Sequence, residues 1–191
     1  MDIGTLVTLA ILAVVTFYVI FIYNSLVTLK HNVSKSWSNI DVLLKQRHDE
    51  LPKLVEVCKQ YMEYEKDTLE RVIQARSAVS NARAAGNMGA LGSAESSLRL
   101  GLGNLFALAE NYPELKANQS FQQLQSRISQ LENSIADRRE VYNESVNLNN
   151  VRIEQFPDVI IARLFNFKAF DLLQFSDEEK QDVSIKSLFN S

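Results

Sequence analysis

Few of the residues that cross-link or interrupt a fold are present in this chain. It has one cysteine, Cys58, so no intramolecular disulfide can form, and a lone thiol suits a reducing compartment. It has two histidines, His31 and His48. On one helix they would stand ~25 Å apart and could not share an ion. There is no HExxH, no cysteine pair and no Glu-x-x-His, which leaves a structural zinc or bundle di-iron site without ligands. The net charge of −3 and pI near 5.5 give no basic footprint for nucleic acid. Only six glycines and three prolines occur, and none lies between Gly4 and Pro52.

One feature is plentiful. From Ile3 to Leu29 the chain reads IGTLVTLAILAVVTFYVIFIYNSLVTL, with no charge in it. Ile3 to Tyr23 is about 20 residues, enough for a helix to span a ~30 Å hydrocarbon layer. No Lys or Arg precedes the run, it is long, and its end carries Phe17, Tyr18, Phe21 and Tyr23. A cleaved signal peptide has a basic start, a shorter core and small residues at its end, so a retained anchor is expected. All faces of the segment are apolar, unlike a soluble core helix. The basic residues follow the anchor, at Lys30, Lys35, Lys45 and Arg47. The positive-inside bias puts the C-terminal side in the cytoplasm and the N-terminus outside. Membrane lipid around Ile3 to Tyr23 is therefore the first expected partner.

Beyond the anchor the pattern is helical throughout. Leu26, Leu29, Val33, Trp37, Ile40, Leu44 and Leu51 recur at spacings of three and four, with Arg47 the polar member of the row. One helix is expected from about Ile3 to about Glu50, with Pro52 in the first turn of a second, or a kinked continuation instead. The second stripe is Leu51, Val55, Cys58, Met62, Leu69, Val72 and Val79, interrupted by Glu65 and Arg76. Gly86 to Gly92 reads as a loop, and not a phosphate loop, since no GK[ST] follows. Ser93 is the expected cap of a third helix reaching about Asn111, with Leu98, Leu102, Leu105, Leu108 and Ala109 inward. Gly101 and Gly103 inside it suggest close backbone packing. After Pro113, a fourth helix starts at Asn118 or Ser120. Its stripe is Phe121, Leu124, Ile128, Leu131, Ile135, Arg138 and Tyr142, in coiled-coil spacing, drifting to Val146, Asn149, Ile153 and Phe156 before Pro157. The Phe-rich stretch that follows either packs under the bundle, the favoured reading, or lies in the membrane interface.

These residues resemble the LemA family of bacterial membrane proteins. The resemblance begins at YNSLV, Tyr23 to Val27. It runs through SWSNIDVLLKQRHDELPKLVEVCKQYMEYEKDTLERVIQAR, Ser36 to Arg76, and resumes from LFALAENYPELKANQ at Leu105 to ARLFNF ending at Phe167. It implies a bacterial inner-membrane location and an all-α fold, a single-pass transmembrane helix continuing into a long antiparallel four-helix bundle. It brings no established activity, substrate or cofactor. Asn166 departs from the glycine the family tends to have in a Phe-Gly-Phe turn, and the tail after Phe175 departs from its usual acidic ending. The expected division is an anchor over 1–25, a bundle over 26–157, a Phe-rich segment over 158–175 and a polar tail over 176–191.

For function, the residues that stand out are polar ones within or beside the stripes: Trp37, Asp41, Arg47, Tyr61, Glu65, Arg76, Arg138, Tyr142 and Asn143. They either satisfy one another and fix helix register, or form a docking face for an unidentified protein. Glu65 and Arg138 are one candidate pair. Cys58 on an apolar stripe reads as buried and structural. With no acid–base or nucleophile cluster to assemble, an enzyme is not expected, and no cofactor is. The leading reading is a membrane-anchored scaffold or adaptor. Self-association follows from the small residues of Ala82 to Ala90 and the seam of the fourth helix. The alternative is a membrane-coupled sensing module acting on a cytoplasmic protein through the Phe-rich segment.

Overall fold

A computed structural model describes residues 2–174, so the tail expected over 176–191 lies outside the described residues. The described residues form helices and no strand: α1 Ile3–Lys59, α2 Lys66–Ala85, α3 Met88–Ala109, α4 Pro113–Ala117, α5 Gln119–Glu154 and α6 Asp158–Leu164. They fall into two units, one within Met1–Asn39 and Glu140–Asp171, the other within Ile40–Arg139 and Leu172–Ser191. α1 and α5 contribute to both.

In the first unit, α1 begins as the uncovered apolar run. Ile3, Phe17 and Phe21 are 78%, 74% and 67% exposed, and burial sets in at Ile22, 2% exposed. α1 is the one described helix long and apolar enough to cross a membrane. From Ile22 onward protein covers it: Ile22 and Leu26 bury against Ile161 and Ala162 of α6, with Val19, Ile153 and Phe167 around them. The Phe-rich segment is thus partly packed on α1, through one face of α6. Past α6 the chain runs without helix, held by side chains of α5. Asn150 donates to the Phe170 carbonyl at 2.9 Å and accepts its N–H at 3.0 Å, and Tyr142 Oη donates to the Asp171 carbonyl at 3.0 Å. The turn into this stretch is Asn166 at φ 57°, a left-handed conformation that asparagine tolerates in place of glycine.

In the second unit, the core draws on the later part of α1 (Leu44, Leu51, Leu54, Cys58), on α2 (Leu69, Val72, Val79), on α3 (Leu91, Leu98, Leu102, Leu105) and on the start of α5 (Phe121, Ile128, Leu131). α2 and α3 pack on one another across a tight turn.

Several boundaries differ from expectation. At Pro52 the helix follows the alternative reading and continues, to Lys59, instead of starting anew, so the break falls within residues 60–65. Proline at this position removes the N–H that His48 O would accept. Arg76 Nε fills that place, donating to the His48 carbonyl at 3.0 Å. The expected loop over Gly86 to Gly92 shrinks to Gly86 and Asn87. Gly86 takes φ 64° as the C-cap of α2, and Asn87, not Ser93, caps α3 by accepting the Ala90 N–H at 2.9 Å. Gly92 lies inside α3, where the Gln174 carbonyl occupies the place of a Cβ and leaves room only for glycine. Gly101 meets Val72 at ordinary contact distance, 3.5 Å from an added Cβ, whereas Gly103 faces open space and marks no close packing. Pro113 opens a short helix, α4, rather than only closing the third. Asn118 caps α5, accepting from Phe121 N at 3.1 Å.

Candidate functional site

The polar side chains singled out in the sequence separate between the two units. In the second, α1 holds Asp41 and Arg47, the turn after it Tyr61 and Glu65, α2 Arg76 and α5 Arg138. Arg47 is 1% exposed, in the middle of the apolar row of α1. Its guanidinium reaches Glu95 of α3 at 2.5 Å and Glu132 of α5 at 2.6 Å. One cation thus ties three helices. Burial works against the charged guanidinium, but Glu95 and Glu132 outweigh it and the Arg47 pKa is raised. For Glu95, 3% exposed, burial dominates over the pull of Arg47 and the pKa is also raised.

Two further contacts tie α1 to α2. Arg83 holds the Asp41 carboxylate through Nε and through Nη2, the latter at 2.9 Å. The hydrogen bond and charge of Arg83 lower the Asp41 pKa against a smaller desolvation cost. Two α1 turns on, Arg76 donates to the His48 carbonyl, and its Nη2 lies 2.7 Å from His48 Nε2. Since guanidinium has no acceptor, His48 Nε2 must carry the lone pair. Burial and then the Arg76 charge push the His48 pKa down.

At the far end of this unit, the turn after α1 meets the connection around α4. Asn118 donates to Tyr61 Oη at 3.1 Å, and Tyr112 Oη donates to Glu65 at 3.3 Å. The expected Glu65–Arg138 pair does not occur in that form: Glu65 takes Tyr112, and Arg138 is exposed on α5. Arg138 is the exposed member of its row, between buried Ile135 and buried Tyr142. Phe156, at the end of the same row, is likewise 82% exposed.

In the first unit, Trp37 and Tyr142 meet with ring centroids 5.8 Å apart, and Ser36 and Ser145 hydroxyls lie 3.0 Å apart. Burial and then Asp171 raise the Tyr142 pKa. Asn143 is half-buried beside them on α5. Arg152 pairs with the buried Asp158 carboxylate.

The partners Glu95, Glu132, Arg83, His48 and Asn150 were not singled out in the sequence. Glu95 had a signal, since it stands between Leu91 and Leu98 at the spacing of the α3 apolar face. The others sit on polar faces and carried none. Chemically, the network offers guanidinium–carboxylate pairs and amide clamps, with no activated nucleophile. The Cys58 thiol is buried, and burial pushes its pKa up to about 12, so it stays a thiol at neutral pH. Among the described residues no group of three or more His, Cys, Asp or Glu side chains could hold a metal ion.

The profile of the LemA family matches residues 36–186. The curated relatives include Protein LemA of Metamycoplasma hominis, 28% identical over 183 residues, covering 94% of this chain and 82% of the relative. They also include Magnetosome protein MamQ 1 of Paramagnetospirillum magneticum, 24% identical over 194 residues, covering 88% of this chain and 71% of the relative. Magnetosome protein MamQ of Magnetospirillum gryphiswaldense is 23% identical over 188 residues, covering 85% and 69%. None of these names denotes an enzyme.

Proposed function

The chain belongs to the LemA family, and from that premise we propose that it is a membrane-anchored helical scaffold that associates with further copies of itself. The observation that carries the anchor is the uncovered apolar run of α1, which ends where Ile22 becomes buried. Residues 3–21 supply ~28 Å of helix, close to the hydrocarbon thickness of a bilayer. The N-terminus lies outside, by the positive-inside bias, and the rest is cytoplasmic.

The second unit is an antiparallel four-helix bundle in this reading. What supports it is the order of the pairs. Asp41 and His48 of α1 meet Arg83 and Arg76 of α2 in reverse order. Arg47 and Tyr61 meet Glu132 and Asn118 in reverse order along α5. The polar residues act as register pins, with Arg47, Asp41, Arg76, Tyr61 and Glu65 in the second unit and Trp37 and Tyr142 in the first.

Self-association uses a face other than the seam expected from sequence, because Phe121, Ile128, Leu131, Ile135 and Tyr142 are occupied in the chain's own core. On the opposite side of α5, Val141, Leu148 and Val151 stand 45%, 53% and 44% exposed at spacings of seven and three. That is the a, a, d pattern of a coiled-coil seam. Replacing Val141 and Leu148 together by glutamate should convert the intact protein, in mild detergent, from an oligomer to a monomer by light-scattering mass. A wild-type monomer at every concentration would remove the scaffold reading.

A further inference from the structure

In the first unit, a cavity of ≈ 520 Å³ opens beside α1 directly past the uncovered apolar run. Its wall includes Tyr23, Lys30, His31, Phe165, Phe167 and Lys168, and no carboxylate lines it. Two cations in one concave site contrast with the acid excess of the chain as a whole, net −3.

The height of this cavity is set by α1 itself. Tyr23 lies one residue past the point where burial begins. Phe165 and Phe167, which flank the left-handed turn at Asn166, meet the Tyr23 ring with centroids at 4.8 Å and 5.9 Å, both edge-on. Such ring clusters favour the boundary between acyl chain and headgroup. Lys30 stands seven residues further, ~10 Å along the helix, so its ammonium reaches the headgroup layer on its flexible stem. α6 gives a second, independent marker of that height. One face buries Ile161 and Ala162 against α1, while Ile160 and Leu164, four residues apart, are 56% and 72% exposed. An apolar face of that kind needs a cover. Lipid, continuous with that around residues 3–21, supplies one.

Resting on the anchor reading above, we propose that this cavity seats the headgroup of an anionic phospholipid of the adjoining leaflet. Lys30 and Lys168 neutralise the phosphate, and Tyr23, Phe165 and Phe167 lie along the first carbons of the acyl chains. A lysine near a membrane surface is worth about fivefold in affinity for anionic lipid, so loss of both weakens retention roughly thirtyfold.

The test uses the intact protein in nanodiscs of phosphatidylcholine with and without phosphatidylglycerol, counting retained lipids by native mass spectrometry. The wild type should retain phosphatidylglycerol selectively. Lys30→Gln with Lys168→Gln should lose that selectivity, and Lys30→Arg with Lys168→Arg should keep it. Lys35→Gln with Lys45→Gln, which removes two exposed charges elsewhere on α1, should also keep it. Equal loss in that control pair, no selectivity in the wild type, or displacement of the lipid by inorganic phosphate would overturn the proposal. Flotation with vesicles reports the anchor separately. A wild type that floats without lipid selectivity sinks the site alone, and one that does not float sinks the anchor and the site with it.

Discussion

At the scale of single residues, Arg47 is the costliest side chain to disturb. It is buried with Glu95, and removing it strands a carboxylate in the interior. Arg47→Met should lower the unfolding free energy by about 3–5 kcal/mol, read by denaturant titration in detergent. Adding Glu95→Leu should recover most of that loss, because the buried charge goes with its partner. His48 gives a pH dependence of known sign. Its folded pKa lies below its ordinary 6.5, so the unfolded chain binds more protons there. The stability it contributes is complete above pH 6.5 and is lost as pH falls through the folded value. His48→Gln keeps an acceptor for Arg76 without titrating, and its stability should be flatter than that of the wild type below pH 6.5. The sequence told half of this. A charged residue in an apolar row marks Arg47 as special, and the same sign marked Arg138. Only the packed helices separate them, covering Arg47 and leaving Arg138 exposed. The partners of a buried cation lie far along the chain, at Glu95 and Glu132, and no local pattern connects them.

Elements were legible where periodicity is long, and misread where a glycine or proline has a tertiary reason. Nearly the whole inward set of α1, α2, α3 and α5 follows the three-four spacing, because that spacing is the geometry of burial itself. Pro52 read as a helix start because the sequence shows the lost N–H and hides the guanidinium that replaces it. This makes a double-mutant cycle informative. Arg76→Met should cost about 1–3 kcal/mol alone, since it leaves the His48 carbonyl without its donor. In a Pro52→Ala background the restored N–H takes that carbonyl, and the same change should cost about 1 kcal/mol less. Equal costs in both backgrounds would show that Arg76 does not stand in for the missing donor. The α3 glycines form a second contrast. Gly92→Ala drives a methyl into the Gln174 carbonyl and should destabilise by about 1–3 kcal/mol. Gly103→Ala meets open space on a helix and should stabilise by about 1 kcal/mol. Sequence grouped Gly92 with a loop and Gly103 with a packing contact, since no local pattern shows that Gln174 lies against the first and nothing against the second.

For the whole molecule, the prediction concerns sidedness, and the chain is already suited to test it. Its one thiol, Cys58, is fully buried, and burial raises its pKa to about 12, so it contributes little background to maleimide labelling at neutral pH. Introduced cysteines therefore report their own location. Asp2→Cys sits ahead of the apolar run, and Ser129→Cys sits on the exposed side of α5. Both are outside the core, so neither change removes a buried contact. If the positive charge that follows the anchor sets its direction, an impermeant maleimide added to intact spheroplasts labels Asp2→Cys and leaves Ser129→Cys untouched. Permeabilising the membrane should then expose Ser129→Cys. The reverse pattern would place the second unit outside, and labelling of both in intact spheroplasts would mean that residues 3–21 do not span. The asymmetry rests on few charges, chiefly Lys30 and Lys35 within reach of the membrane. Lys30→Gln with Lys35→Gln should accordingly raise the labelled fraction of Ser129→Cys in spheroplasts, because the anchor then has no nearby lysine or arginine on either flank to choose by.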